Sequence, residues 1–251
     1  MKLFFPLSAL FAIVFLSSCQ KEISGETNSA NSDSSQYRVK TYTEEVNSSV
    51  YGNSVTTYNL SYDADGRLIN MVSASSPGDK FVYQYGSSNS FTMDLYNANA
   101  ISIHEIFFTN SLLLLDSTLQ YNDTKDTSTE KYLYNSQGQC TMLKEYDYST
   151  ATGAVLSNQH QYTYDSNNNM LTDKTDDESY SYEYDNSLAN TLDMGNVYTF
   201  RNKNLPVKTT YTSGGETITL THVYTFDDKK RLSTEMITAN TGDTVKKTYT
   251  Y

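Results

Sequence analysis

The chain has 251 residues, 37% of them hydrophobic and 13% aromatic, with 23 tyrosines, no tryptophan and a formal net charge of −11. That acidic balance argues against a nucleic-acid partner and against a surface lying flat on anionic lipid, because a phosphate-binding surface needs an excess of Lys and Arg. Two cysteines in such a chain exclude a disulfide-built scaffold.

Lys2 opens the chain, and Leu3 to Leu16 is an apolar run broken only by Pro6 and Ser8. The run is too short to span a bilayer as a helix, which takes about 20 apolar residues, so residues 1–18 read as a signal peptide. Leu16-Ser17-Ser18-Cys19 closes it and resembles the lipobox of bacterial lipoproteins. The resemblance implies that Cys19 is lipidated, becomes the mature N-terminus and holds the protein on a membrane of the bacterial cell envelope, with the outer membrane expected. Residues 19–36 carry one large apolar side chain, Ile23, and cannot bury enough surface to order themselves. They are expected to be a tether, with a reach of roughly 20 to 25 Å.

Residues 37–251 contain no Pro/Gly-rich break and read as one β-domain. Its organising feature is an aromatic residue that closes an alternating run, followed by a polar turn of five residues and an apolar one. Tyr62-Asp63-Ala64-Asp65-Gly66-Arg67-Leu68 is the clearest copy, and the aromatic returns at Tyr85, Phe108, Tyr134, Tyr164, Tyr184, Phe200 and Phe226. Two residues before it stand Leu60, Tyr83, Ile106, Tyr132, Tyr162, Tyr182, Tyr198 and Tyr224, and residues two apart share a strand face. The intervening residues are mostly polar, so one face is expected to be buried and the other wet. Asp or Asn after the aromatic, and Gly or Asn at the fifth motif position, suit hairpin loops of the longer class.

Further turns fall at Ser75–Asp79, Asn122–Ser128, Ser149–Gly153, Thr175–Glu178, Ser213–Gly215 and Ala239–Asp243. Each repeat is then two strands. The whole is expected to be an all-β antiparallel meander of about 16 to 18 strands, forming a flattened barrel or curled sheet with an aromatic interior. Leu112-Leu113-Leu114-Leu115 breaks the alternation and predicts a second layer over the sheet.

The turn of residues 62–68 resembles the tyrosine-aspartate (YD) repeat of the rearrangement-hotspot (Rhs) family, and Phe200-Arg201-Asn202-Lys203-Asn204-Leu205-Pro206 looks like a decayed copy. Along most of its length after Cys19 the chain is similar to short envelope lipoproteins with degenerate repeats and a porin-like β-sheet, a family of unknown function. Large Rhs members enclose a C-terminal toxin, but here Thr248-Tyr249-Thr250-Tyr251 keeps strand pattern, so no cargo is expected.

Residues that could carry chemistry have plainer readings. Cys140 falls in the Leu68 column and is expected to be buried and inert. His104, His160 and His222 each precede a turn aromatic by four residues, where other copies have Tyr58, Phe81 and Tyr180, so they are expected to replace rings on the ring-bearing face. Asp63-Ala64-Asp65-Gly66 lacks the later ligands of a calcium loop. Glu44-Glu45 and Asp176-Asp177-Glu178 are the remaining carboxylate clusters, and no nucleophile elbow, phosphate loop, dinucleotide fingerprint or zinc motif occurs. The expectation is a non-enzymatic binding or structural module without cofactor or metal, its partner a glycan or envelope protein. The alternatives are a secreted hydrolase working through its carboxylates and an integral outer-membrane barrel.

Overall fold

The computed structural model describes residues 38–86, 89–122, 127–149, 153–194 and 202–251. The signal peptide, Cys19 and the tether fall outside these residues, as do Tyr198, Phe200 and Arg201. Sixteen strands occur in chain order: β1 (Thr41–Ser48), β2 (Gly52–Tyr62), β3 (Leu68–Ser73), β4 (Lys80–Tyr85), β5 (Ser90–Asn97), β6 (Ala100–Thr109), β7 (Leu115–Asn122) and β8 (Thr127–Tyr134). They continue with β9 (Cys140–Ser149), β10 (Gly153–Tyr164), β11 (Met170–Lys174), β12 (Glu178–Ala189), β13 (Asn204–Ser213), β14 (Glu216–Phe226), β15 (Leu232–Ala239) and β16 (Thr244–Thr250).

Every strand pairs antiparallel with its neighbours in sequence, and β1 pairs with β16, so the sheet is a closed barrel. Of the two expected forms, a barrel or a curled sheet, the chain takes the barrel. In the closing seam Tyr42 lies opposite Tyr249, Glu44 opposite Lys247 and Val46 opposite Val245. Closure removes the two unpaired edges that a sixteen-strand sheet would otherwise expose.

The aromatic motif gathers at one end of the barrel, called here the aromatic end. In its turns an Asp or Asn carboxylate or amide oxygen accepts the backbone N–H four residues on: Asp63 from Arg67 (2.8 Å), Asn110 from Leu114 (3.1 Å), Asn135 from Gln139 (3.0 Å), Asp165 from Asn169 (2.8 Å) and Asp227 from Arg231 (2.8 Å). The residue before each loop's last position has positive φ, at Gly66, Leu113, Gly138, Asn168 and Lys230. Gly66 takes this conformation without a Cβ penalty, and an added Cβ would displace the Arg38 guanidinium that lies over it. Each of these turns is followed by a register shift that leaves Ile69, Asp116, Thr141, Leu171 or Ser233 as an extra residue. A bulge increases local twist and bends its strand, which helps to curl the sheet into a barrel.

Asn110, not Thr109, occupies the Asp63 position, which moves the third copy by one residue from the sequence expectation. Thr109 takes the place of the aromatic, and Phe108 is exposed. The four leucines are also not a strand under a second layer. Leu112 and Leu113 form the turn's exposed tip, Leu113 with positive φ, and Leu115 alone is buried. A third difference concerns Tyr184, which does not close its strand, because β12 runs on to Ala189.

The start of each odd strand supplies one buried apolar side chain at this end. Val39 precedes β1, and Leu68, Phe91, Leu115, Cys140, Met170, Leu205 and Leu232 follow around the ring. Full burial of each such side chain contributes about 1.5 to 3 kcal/mol. Turn tyrosines tie the ring together, because each hydroxyl donates to the backbone carbonyl of the preceding unit's apolar residue. Tyr62 reaches Val39 (2.6 Å), Tyr85 Leu68 (2.9 Å), Tyr134 Leu115 (2.6 Å), Tyr164 Cys140 (2.7 Å) and Tyr184 Met170 (2.7 Å). Phe226 has no hydroxyl, and Tyr224 instead donates to Pro206 (2.5 Å). Tyr251 completes the ring at the C-terminus by donating to Leu232 (2.9 Å).

The described residues between β12 and β13, 190–194 and 202–203, lie against part of the aromatic end. Val39 N donates to the Asp193 carbonyl (3.2 Å), Leu232 N to Thr191 Oγ1 (3.1 Å) and Met170 N to Asn202 Oδ1 (2.9 Å). Leu188, Leu192 and Met194 pack on the cluster of Val39, Tyr42, Leu60, Leu68, Leu232 and Tyr249. These residues therefore cover the sector from β11 to β1.

Candidate functional site

The position four residues before each turn aromatic becomes a ring at mid-depth inside the barrel, because every copy turns the same face inward. The ring runs through Tyr58, Phe81, Glu105, Glu130, His160, Tyr180, His222 and Lys247. Five of these eight carry an ionisable side chain other than tyrosine, so the interior is not uniformly aromatic. Glu105 enters through the one-residue shift of the third copy, and Lys247 through the role of Tyr251 as a turn aromatic. The same shift puts His104 on the outer face, opposite Tyr121, where its Nδ1 lies 2.5 Å from Asp94 Oδ1. The expectation that His104 replaces an inward ring is thus corrected, whereas His160 and His222 do so.

Odd strands place carboxylates between the ring members. On one side, Glu130 on β8 lies opposite Glu145 on β9, and its carboxylate accepts the Tyr132 hydroxyl. His160 bridges two carboxylates, with Nδ1 2.7 Å from Asp173 Oδ1 and Nε2 3.5 Å from Glu145 Oε1. Burial opposes charge on His160, but hydrogen bonds to Asp173 and Glu145 outweigh it and hold the imidazolium up to about 10. The same contact lowers Glu145. Glu105, buried and facing Glu130, is pushed up to about 8, and burial raises Glu130 as well. Glu105 therefore keeps its proton at neutral pH.

A second group lies across the barrel. Glu235 on β15 is 2.9 Å from His222 Nδ1 and 3.5 Å from Lys247 Nζ, and it accepts the Tyr224 hydroxyl at 3.3 Å. Burial works against the Glu235 carboxylate, yet the Lys247 charge and the His222 contact bring it down to about 2. Lys247, only 4% exposed, is paired with Glu235 and lies opposite Glu44 in the seam register. His222 Nε2 is within 3.0 Å of Thr209 Oγ1.

The remaining sequence candidates separate. Asp176 and Asp177 are exposed in the β11–β12 turn, while Glu178 accepts the Tyr211 hydroxyl at 2.8 Å inside the barrel. Glu44 points inward and accepts from Tyr42 (2.6 Å), whereas Glu45 points outward to Lys246 (3.0 Å). Asp63 and Asp65 bind Arg67, as turn carboxylates. Cys140 is a buried free thiol, pushed up to about 12 by burial, with its Sγ 3.4 Å from the Met142 carbonyl. Among the described residues no group of three or more His, Cys, Asp or Glu is placed to hold a metal ion.

Sequence reading missed the carboxylate half of this interior. Glu130 was readable from its place four residues before Tyr134, but Glu145, Asp173 and Glu235 come from strands without the turn motif, and only register places them beside the histidines.

The outer wall divides in two. Across β13 to β16, β1 and β2 it carries Thr210, Thr219, Thr221, Thr234, Thr248, Thr43, Thr57 and Asn59, with paired hydroxyls such as Thr225–Thr234 (2.6 Å) and Thr43–Thr57 (3.0 Å). Ion pairs Lys246–Glu45 (3.0 Å) and Lys208–Glu183 (2.7 Å) lie part-way along this wall. Across β6 to β9 it carries Ile106, Phe108, Leu119, Tyr121, Leu133, Met142 and Tyr146, interrupted by His104 and by Lys131 opposite Lys144.

No protein-family model matches the chain, and no curated protein matches it. Among solved structures it is similar to a porin-like protein from Bacteroides uniformis ATCC 8492, with a TM-score of 0.62 and 14% identity over 84% of this chain and 96% of that one. A porin-like protein from Bacteroides vulgatus ATCC 8482 gives a TM-score of 0.61 and 15% identity over 85% of this chain and 98% of that one. At such identity the likeness is one of fold: this chain is an all-β antiparallel meander closed into a porin-like barrel.

Proposed function

We propose that this protein is a lipid-anchored, non-catalytic module of the bacterial cell envelope, tethered through Cys19 and built on degenerate YD repeats, whose barrel stands in water and offers a surface to a glycan or an envelope protein. The observation that carries this reading is the polar outer wall. A lipid-facing barrel needs an apolar band about 25 Å tall around its whole circumference, and a Lys at the bilayer midplane costs about 2 to 4 kcal/mol. The wall from β13 through β16 to β2 instead carries threonines and the Lys246–Glu45 and Lys208–Glu183 pairs. Rows of hydroxyls and amides at strand spacing suit a polar partner such as a glycan.

The non-catalytic part rests on the partners of the interior groups. His160, Glu145, Glu178 and Glu235 bind one another, Asp173, His222, Lys247 or tyrosine hydroxyls, His222 binds Glu235 and the Thr209 hydroxyl, and among the described residues none of these five is paired with a serine or cysteine side chain. The carboxylates Asp176, Asp177 and Glu178, on which a hydrolase would depend, do not converge.

An integral outer-membrane barrel is the second reading, favoured by the apolar wall of β6 to β9. Cell fractionation of a Cys19→Ala variant separates the two. The proposal expects wild type in the membrane fraction and the variant in the detergent-free soluble fraction. A variant that stays with membranes through alkaline extraction would establish the integral barrel instead.

A further inference from the structure

We infer that the aromatic end of the barrel docks end-on against a lipid bilayer, with the Leu112–Leu113 turn entering its interface. This rests on the lipid anchor at Cys19 proposed above and adds an orientation and a second contact to it. A lipidated Cys19 holds the protein at a membrane without fixing its orientation, so a protein surface that meets the same membrane has a physical role.

Three observations point to this end. The first is apolar exposure: Leu112 is 62% exposed and Leu113 37%, at the tip of a turn, and Phe108, Leu133, Leu171 and Phe226 are exposed at the same rim. These residues come from β6, the β6–β7 turn, β8, β11 and β14, so they are spread around the rim rather than confined to one wall. Leucines at a turn tip have no core to join, and a bilayer interface would cover them.

The second is the path of the chain. The described chain begins at this end, with Arg38 beside Val39 and the Gly66 turn. A link with the reach that its composition leads one to expect, roughly 20 to 25 Å, would hold this end nearest the proposed anchor.

The third is charge. The opposite end also exposes apolar residues, among them Tyr51, Ile101, Tyr148 and Leu156. Its described turns and the strand ends beside them, however, carry Asp79, Asp176, Asp177, Glu178, Glu216 and Asp243 against Lys80 and Lys174. An anionic bilayer repels that end more strongly. At the aromatic end Arg38, Lys40, Arg67, Lys203, Lys229, Lys230 and Arg231 stand against Asp63, Asp65, Asp116, Asp165, Asp185, Asp193, Asp227 and Asp228. Lys203, Lys229 and Lys230 are exposed there beside Phe226, the mixture that an interface with anionic headgroups accepts.

The chain contains no tryptophan, so one introduced indole reports its own depth. The lipidated protein carrying Leu112→Trp, and separately Leu156→Trp, is reconstituted in phosphatidylethanolamine–phosphatidylglycerol vesicles containing brominated lipid. Docking predicts co-sedimentation of both proteins, a blue-shifted indole at position 112, and quenching at least twofold stronger there than at 156. Co-sedimentation with neither indole quenched, or with position 156 quenched as strongly, overturns the docking and leaves the anchor standing. Failure of wild type to co-sediment overturns the anchor and the docking with it. Hydrogen exchange on vesicle-bound wild type supplies the check that needs no variant: the amides of residues 111–114 must gain protection on binding, and unchanged exchange there sinks the proposal.

Discussion

Glu105 shows how one inward side chain couples the barrel to pH. It lies opposite Met93 on β5 and Gln120 on β7, with Glu130 its nearest charged neighbour and Thr118 a hydrogen-bond partner. An unfolded glutamate releases its proton near ~4.3, whereas here the proton stays up to about 8 because burial and Glu130 both disfavour the carboxylate. The folded value lies above the unfolded one, so stability from this group is complete in acid and is lost as pH rises through about 8. Urea titrations of wild type should therefore show falling stability from pH 5 to pH 9. Glu105→Gln keeps the shape without the titration, and should be more stable than wild type at pH 9 by on the order of 2 kcal/mol while matching it at pH 5. A variant whose pH profile follows wild type would refute this account.

At the scale of the element, the repeated turn shows which part of a motif sequence can carry. Asp or Asn at its first position is readable because a short side chain must accept the backbone N–H four residues on, and the structure places that bond at five turns. The positive-φ position is less readable, since Leu113 and Lys230 occupy it as well as Gly66, Gly138 and Asn168. A side chain with a Cβ costs about 1 to 2 kcal/mol in that conformation, partly offset by the entropy that glycine loses on folding. Lys230→Gly should thus raise stability by about 0.5 to 1 kcal/mol, seen as a higher urea midpoint with unchanged slope. Destabilisation would mean that the Lys230 side chain does more than occupy a turn. The same local rule explains the shift of the third copy. Phe108 looks like the motif aromatic, but Asn110 is the residue able to start the turn, and strand register follows the turn.

The whole molecule depends on a seam that joins residues about 200 positions apart. Tyr42 stacks near Tyr249 with ring centroids 5.6 Å apart, and Lys247 stands between Glu44 and Glu235. Tyr249→Ala would open a cavity in the largest apolar cluster and remove the ring that Tyr42 packs on. A loss of about 3 to 5 kcal/mol is expected from thermal or urea melts, with the near-ultraviolet tyrosine signal weakened. A loss below about 1 kcal/mol would mean that the barrel does not depend on this seam.

The sequence by itself determined the unit: an aromatic-closed strand, an Asp- or Asn-led turn, an apolar residue after it, and a strand back. These are local or period-two properties, set by backbone hydrogen bonding within five residues and by the alternation of side chains across a strand. It thereby located the buried column that includes Cys140 and the inward faces of His160 and His222. Tertiary structure alone decided what the units do together. Closure, the role of Tyr251 as the last ring tyrosine, the outward turn of His104 and the meeting of Glu145, Asp173 and Glu235 with the histidines all follow from register between strands. A shift of one residue exchanges the inside and outside of a strand, and no local pattern states how far one strand slides along the next.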